Sequence, residues 1–278
     1  MPELPEAEIT KRKLVALLGK RIIGFWSDWP RGLRITKTVP EVARDIKGLK
    51  VIRIRRQGKV IFFEMRKGGR AGAQKLLAFH QRMSGALILK SHVREIPRHI
   101  HHRVIFAGEE LLFRDPRKFG VVWYGRLSAV MADSYLARLG QDMLSVSFAE
   151  FKDRLSLRKG MIKALLLRQD VFSGIGNIIA DEALWRAKIH PKKRSVALLP
   201  SEVRKLYNSI RGVIKDSIMV RGTSMRDWEH PDGSRGQFQR QLKVYGLAGK
   251  VCGRCKKERI SRILVGGRGT WICSNCQK

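Results

Sequence analysis

Met1-Pro2-Glu3-Leu4-Pro5-Glu6 supports two readings at once, one structural and one chemical. Proline lacks the N–H donor that a first helical turn leaves unused, and acids suit the positive end of a helix dipole, so the segment suits a helix start. Removal of Met1 would also give Pro2 a free ring nitrogen, a secondary amine. A neutral amine attacks an electrophilic carbon and forms a Schiff base, which splits one difficult step into two easier ones. Glu3 and Glu6 stand where they can carry the protons this chemistry moves. Downstream, Ile9, Leu14, Leu17 and Leu18 with Gly19 after them extend the helix, opposite a basic side of Lys11, Arg12 and Lys13.

Beyond that helix the period changes. Short β segments are expected at 21–26, 50–56, 59–65, 75–81, 86–90, 103–107, 111–114 and 121–124, with turns at Gln57-Gly58, Lys67-Gly68-Gly69, Ser84-Gly85 and Ala107-Gly108-Glu109. Eight short strands imply a sandwich or flattened barrel. After Leu127 the helical period returns. Ser147-Phe148-Ala149-Glu150 reads as a capping box, and Val203, Leu206, Tyr207, Ile210, Val213 and Ile214 form the buried stripe of one long helix. A domain boundary is therefore expected near 127–145.

Ser173-Gly174-Ile175-Gly176-Asn177 leads into a further helix over 178–188. Two glycines make a tight turn, and Asn177 is expected to cap the helix while its amides face a phosphate. Plain helix-turn-helix packing explains the same turn; the basic run 188–194 after it favours nucleic acid.

Composition bounds the partners. The 278 residues, 44% of them hydrophobic, can bury one large core or two ordinary ones, and two domains are expected. Lys and Arg number 57 against 24 Asp and Glu, a net charge of +33 spread through both halves. An ordered chain with that surplus repels itself unless phosphates offset the charge, so a nucleic acid is the expected partner and binding should depend strongly on salt. A ribosome-associated protein, or an adaptation to salt or a membrane surface, are the competing readings. No run of about 18 uncharged apolar residues occurs, and Glu3, Glu6 and Glu8 stand where a signal peptide would be basic and then apolar, so a cytoplasmic protein is expected.

All four cysteines lie near the end: Cys252-Gly-Arg-Cys255, seventeen residues, then Cys273-Ser-Asn-Cys276. Two such knuckles joined by a strand pair can set four sulfurs tetrahedrally around one zinc ion. Disulfides are the weaker alternative in a cytosolic chain with no other cysteine. Four protein ligands leave no open position, so the zinc is expected to be structural, fixing a hairpin whose tip, Leu264 to Thr270, carries Arg268 among glycines. Glycines let a backbone approach phosphate closely; an ordinary flexible tip is the alternative.

In Met-Pro-Glu-Leu-Pro-Glu, Gln57-Gly-Lys59-Val, Arg82-Met83-Ser-Gly, Asp115-Pro-Arg117-Lys-Phe119-Gly, Gly174-Ile-Gly-Asn177 through Ile189-His-Pro191, Gly222-Thr-Ser-Met-Arg-Asp227, Gly236-Gln-Phe-Gln239, Val244-Tyr-Gly246 and the four cysteines, the chain resembles the bacterial formamidopyrimidine-DNA glycosylase and endonuclease VIII family. The resemblance spans nearly the whole chain. It implies an α+β protein: an N-terminal eight-stranded β-sandwich with an N-terminal helix (1–127), a linker (128–145), a helix-two-turn-helix domain (146–245) and a zinc finger (246–278), clamping DNA in a cleft between the domains. The damaged nucleotide would be extruded, because its C1′ is closed to attack inside the stacked duplex.

By the same resemblance Pro2 attacks C1′, and the Schiff base then drives β- and δ-elimination. Glu3 is the acid/base partner and Glu6 supports it. Lys59 and Arg268 join this catalytic set by gripping, with Asn177, the phosphates around the flipped nucleotide. Met83, Arg117 and Phe119 would fill the vacated stack, and His99 and Lys163 complete the expected DNA-binding set. The implied activity is bifunctional glycosylase and AP lyase action on oxidised purines; an oxidised-pyrimidine enzyme, or a zinc-containing binding protein without catalysis, are the alternatives. The partner would be damaged double-stranded DNA, with no membrane and no small-molecule cofactor, and the chain would act as a monomer. Two departures stand out. His80-Gln81-Arg82-Met83 replaces the usual His-Leu-Gly-Met, and Arg221 replaces the glycine before Gly222, which bears on the wedge loop and the lesion-capping loop.

Overall fold

The computed structural model describes residues 2–34, 38–68, 74–225 and 228–278. Met1, Gly69 of one expected turn, and Arg226 and Asp227 at the end of the Gly222 motif lie outside them. The chain divides into two compact units: Met1–Ala137 with Arg221–Gln237, and Arg138–Val220 with Phe238–Lys278.

In the first unit helix α1 (Leu4–Leu14) starts at Glu3, whose N–H donates to Glu6 Oε2 at 2.7 Å, and the buried Leu4, Ala7 and Leu14 face the sandwich. The strands are β1 (Ile22–Ser27), β2 (Leu33–Arg34), β3 (Lys50–Gln57), β4 (Val60–Arg66), β5 (Lys75–His80), β6 (Ala86–Lys90), β7 (Ile100–Phe106), β8 (Glu109–Arg114) and β9 (Val121–Arg126). They form one sheet in the order β1-β7-β8-β6 and another in the order β2-β9-β5-β4-β3. Phe25, Leu87, Val104, Phe106 and Phe113 of the first sheet share one core with Ile61, Phe63, Leu77, Phe79 and Val122 of the second. An edge-to-face contact of Phe79 with Phe113 (5.6 Å) joins the layers, and Phe79 also meets Phe63 of its own sheet edge-on (5.8 Å). Helix α2 (Val39–Ile46) follows β2, with Val42 and Ile46 in that core.

All eight expected strands are present. A ninth, β2, pairs in parallel with β9 over two residues, too short for a period of two to show. Lys59, expected inside a strand, is the second residue of the two-residue β3–β4 turn, because Gln57 pairs with Val60.

Helix α3 (Leu127–Met131) begins at the edge of the expected linker, and the N-terminal stretch of the first unit runs on to Ala137. The second contains a two-residue parallel pair, β10 (Gln141–Asp142) and β11 (Phe172–Ser173), and helices α4 (Phe148–Ser156), α5 (Ile162–Leu166), α6 (Asn177–Ala187) and α7 (Pro200–Met219). Ser147 Oγ accepts from Glu150 N (3.2 Å) and Glu150 Oε2 accepts from Ser147 N (2.8 Å), closing the expected capping box of α4. Leu206, Ile210, Val213 and Ile214 are the buried stripe of α7. The chain finishes with a hairpin of β12 (Ser261–Val265) and β13 (Arg268–Ile272). Among the described residues no helix is long and apolar enough to cross a membrane.

One segment departs from the expected division. Residues 221–237, read from sequence as part of the domain 146–245, pack with the first unit. Burial of Trp228 among Ala86, Ile88, Ile100 and Leu112 accounts for it, a contact that no local pattern announces.

Candidate catalytic end and nucleic-acid contacts

Pro2, Glu3 and Glu6 are buried together at the start of α1. Both Glu6 oxygens accept from backbone: Oε2 from Glu3 N (2.7 Å) and Oε1 from Thr223 N (2.7 Å). Burial, then the charge of Glu3, pushes the Glu6 pKa up in spite of those donors. Gly222 packs against this carboxylate: its φ is +76°, and a Cβ there would lie 2.9 Å from Glu6 Oε1.

One turn further, Glu8 fixes α1 to the sheet. Its oxygens accept from Arg12 (2.8 Å) and from the nearly buried Arg56 (3.0 Å). Burial alone would raise its pKa, but these guanidinium contacts outweigh burial and hold it low. Arg56 Nη1 also donates to Gly58 O (2.8 Å), so one guanidinium links α1 to the turn bearing Lys59. Gly58, at φ +58°, supplies the left-handed first position of that turn. Burial, then Arg82 and Lys59, keeps His80 neutral, and its Nδ1 accepts from Arg82 N (2.9 Å).

Met83 and Phe119 stand on two turns and are 44% and 46% exposed, large apolar side chains left in water. A single buried carboxylate organises both turns. Asp115 Oδ1 accepts from Ser84 Oγ (2.5 Å), and Oδ2 accepts from Phe119 N (2.8 Å) and Gly120 N (2.6 Å). The exposed Arg117 lies over the Phe119 ring at 4.5 Å, and the carbonyl of half-buried His99 accepts from Asp115 N (2.9 Å). The expected wedge residues are thus gathered on one scaffold.

Both departures from the family pattern keep a glycine-like backbone. Arg82 has φ +51° and Arg221 has φ +63°, the left-handed region that L side chains seldom adopt. Arg82 offsets its strain by lying 5.0 Å over Tyr135, which is itself stacked on Trp123 at 6.1 Å.

In the second unit two expectations need correction. Asn177 is the first residue of α6 and does not cap it; Gly176 occupies the cap, and Asn177 Nδ2 donates to Gly269 O (2.9 Å). Lys163, expected on DNA, has no exposed side-chain surface, so no phosphate reaches it. Its Nζ lies 2.7 Å from Asp181 Oδ1 and donates to Thr270 Oγ1 (2.7 Å) and Gly269 O (3.1 Å), while Asp181 Oδ2 accepts from Trp271 N (3.1 Å). Lys163 is a strut for strand β13. Arg268 begins that strand, exposed, directly after Gly266 (φ +56°) and Gly267 (φ +72°), a pair suited to a type I′ turn.

The four cysteine sulfurs all lie within 4.8 Å of one another, with Cys252–Cys276 at 3.9 Å and Cys255–Cys273 at 3.7 Å, and none is in a disulfide. Sulfurs about 2.3 Å from a tetrahedral zinc are about 3.8 Å apart, so the set fits one ion and leaves no open position. Gln277 anchors the knuckle, accepting from Cys273 N and donating to Ile189 O, both at 3.0 Å.

Asp115, Asp181 and Glu8 were not assigned roles from sequence. Asp115-Pro116 did carry a turn signal, whereas nothing local marks Asp181 or Glu8.

Comparison with known proteins places this arrangement among enzymes that excise bases from DNA. Residues 1–122 match the formamidopyrimidine-DNA glycosylase N-terminal domain and residues 139–229 its H2TH domain. The formamidopyrimidine-DNA glycosylase of Desulfitobacterium hafniense is 39% identical over 282 aligned positions, covering 100% of both chains, and that of Halalkalibacterium halodurans is 34% identical over the same shares. The chain belongs to the formamidopyrimidine-DNA glycosylase family. It is a DNA glycosylase of base-excision repair, not a ribosomal factor or a purely binding module. Lactococcus lactis Fpg in complex with abasic-site DNA superposes with a TM-score of 0.87 at 32% identity over 99% of each chain. The same enzyme bound to oxidised-pyrimidine DNA gives 0.86 at 33% over 100% of each.

Proposed function

We propose that this chain, with Met1 removed, excises oxidised purines such as 8-oxoguanine and formamidopyrimidines from duplex DNA and then cuts the strand. Pro2 is the nucleophile. Its neutral nitrogen bonds to C1′ as the base leaves; opening of the sugar gives a Schiff base, from which β- and δ-elimination release the flanking phosphates. Glu3 moves the protons. Glu6, tied to Glu3 N and Thr223 N, holds that end in shape. The observation that carries the reading is the burial of two carboxylates, Glu3 at 1% and Glu6 at 2% exposure, beside a proline at a positive helix end. That end favours the uncharged amine and offsets the pull of the glutamates.

Lys59, Arg268 and Asn177 take phosphates, Asn177 through the second hydrogen of an amide whose first is spent on Gly269 O. Met83, Phe119 and Arg117 enter the stack left by the flipped nucleotide, with His99 supporting their turn. The protein acts as a monomer in the cytoplasm, on the nucleoid.

Trapping with borohydride on duplex DNA containing 8-oxoguanine tests the nucleophile. A covalent adduct is expected with the mature chain and none with Pro2→Gly or with a form extended at its N-terminus. Undiminished crosslinking in the extended form would sink the assignment. A second reading, action on oxidised pyrimidines, is favoured by the complex of the Lactococcus lactis enzyme with such DNA. Parallel assays on both lesion classes separate the two.

A further inference from the structure

We infer that a groove in the second unit, between α4 and the first turn of α7, docks an acidic peptide segment of another protein, anchored there by one large apolar side chain. The inference does not depend on which lesion the enzyme removes. None of the groove's residues belongs to the set expected on DNA.

A proline shapes the groove. Pro200 opens α7 and holds Leu199 extended at ψ 151°, so the chain before it departs from the helix axis. The short 3-10 turn that precedes it, Ser195–Ala197, is tied down by Ser195 Oγ, which donates to Arg158 O (2.6 Å) just beyond α4. Between that turn, α4 and the start of α7 an open groove of about 570 Å³ remains. Buried Leu155 and half-buried Phe148 and Val203 line it, and Val196 stands beside them 60% exposed. An apolar hollow with an exposed apolar side chain at its edge is the form of a partner's anchor site.

Charge decides what that partner carries. Lys152 and Arg204 both line the groove, no acid does, and among the described residues neither cation forms an ion pair. Arg204 holds its guanidinium 3.2 Å over the Phe148 ring, which keeps the charge at the apolar wall. Acids on the same turns are already engaged. Glu150 accepts from Ser147 N (2.8 Å) and Gln141 Nε2 (2.9 Å), and Glu202 from Leu199 N (2.9 Å) and Lys193 Nζ (2.7 Å). A duplex would satisfy the two cations and leave the apolar walls in water. A second copy of this chain cannot supply the acids: its sequence has no run of more than two, and copies at +33 repel one another. A peptide with carboxylates on both sides of an aromatic or branched side chain satisfies walls and cations together. Such a partner would hold the enzyme near itself while the residues expected on DNA stay free of it.

The test follows the anisotropy of a fluorescein-labelled peptide, three aspartates on each side of one phenylalanine, titrated with the full-length zinc-bound protein. Replacing that phenylalanine by serine should weaken binding about tenfold, the worth of one buried aromatic side chain. Lys152→Glu and Arg204→Glu should each weaken binding of the phenylalanine peptide about fivefold, whereas Lys215→Glu, at an exposed position of α7 outside the groove, should not. Melts and excision from damaged duplex should match wild type in all three variants. Equal affinity for the two peptides would overturn the inference whatever the variants do, because net charge alone would then explain the binding. Equal weakening by Lys215→Glu, or no binding at all, would do the same. Undamaged duplex that displaces the peptide, and that loses affinity in Lys152→Glu and Arg204→Glu but not in Lys215→Glu, would make the groove a nucleic-acid surface and also overturn it.

Discussion

Lys163 and Asp181 form an ion pair without exposed side-chain surface, Nζ to Oδ1 2.7 Å, and together they hold three backbone or hydroxyl groups of the strand that Arg268 begins. A buried pair is costly to break from one side, because the survivor is left charged and unsatisfied; about 3–5 kcal/mol is typical. Lys163→Ala should therefore lower the melting temperature and weaken binding to damaged duplex by displacing the strand that Arg268 begins. Arg268→Ala should keep the melt and reduce the salt slope by about one charge. Isotherms at several salt concentrations, with melts of the same preparations, separate strut from phosphate contact. A lowered slope in Lys163→Ala with an unchanged melt would return Lys163 to the DNA surface.

Arg117 should read the base left without its partner. A guanidinium offers only donors, which suit the acceptor edge of cytosine and not the donor adenine presents there. Excision of 8-oxoguanine opposite cytosine should exceed that opposite adenine by roughly 5- to 150-fold, the worth of one good base contact. Arg117→Ala should level the two rates; equal rates in wild type would refute the assignment and favour the oxidised-pyrimidine reading.

Removal of zinc should disable binding without unfolding the sandwich. Chelation, or Cys273→Ser, takes away the ligand set that holds the hairpin, and Arg268 loses its place. Metal analysis should return one zinc per chain. Full affinity for damaged duplex in a zinc-free preparation would contradict this role.

Glu6 should make the first unit less stable as pH rises. Burial and the neighbouring Glu3 raise its pKa above the ordinary 4.5. Between that value and the raised one, the folded chain binds more protons than the unfolded, so stability present at acid pH is lost as pH climbs through the window. Glu6→Gln removes the titration. The difference in unfolding free energy between wild type and variant should then drift against wild type through the acid range and level off above it; a difference independent of pH would remove the effect.

Legibility in the sequence followed the range of the interactions. The strands could be read because their alternation is local, and the helix start at Glu3 because its residues are consecutive. Helix α2 carried a readable start, Thr38 with Glu41, inside a region otherwise of strands. Other features join distant positions: Ser84 to Asp115 across 31 residues and Gln81 to Trp228 across 147. No periodicity encodes such pairs. Lys163 was misread for the same reason, since a lysine in a basic chain looks solvated until its buried carboxylate is found.

Because Asp115 holds Ser84 with one oxygen and the amides of Phe119 and Gly120 with the other, the turns bearing Met83 and Phe119 share one mount. If these two residues are the wedges proposed above, a protein scanning a duplex with such a mount would probe both strands of a base step in a single event. Half-inserted complexes would have to tear the carboxylate from one of its turns and would be short-lived. Scanning would then be a two-outcome trial at every step, its speed along undamaged DNA set by how quickly the paired wedges are refused.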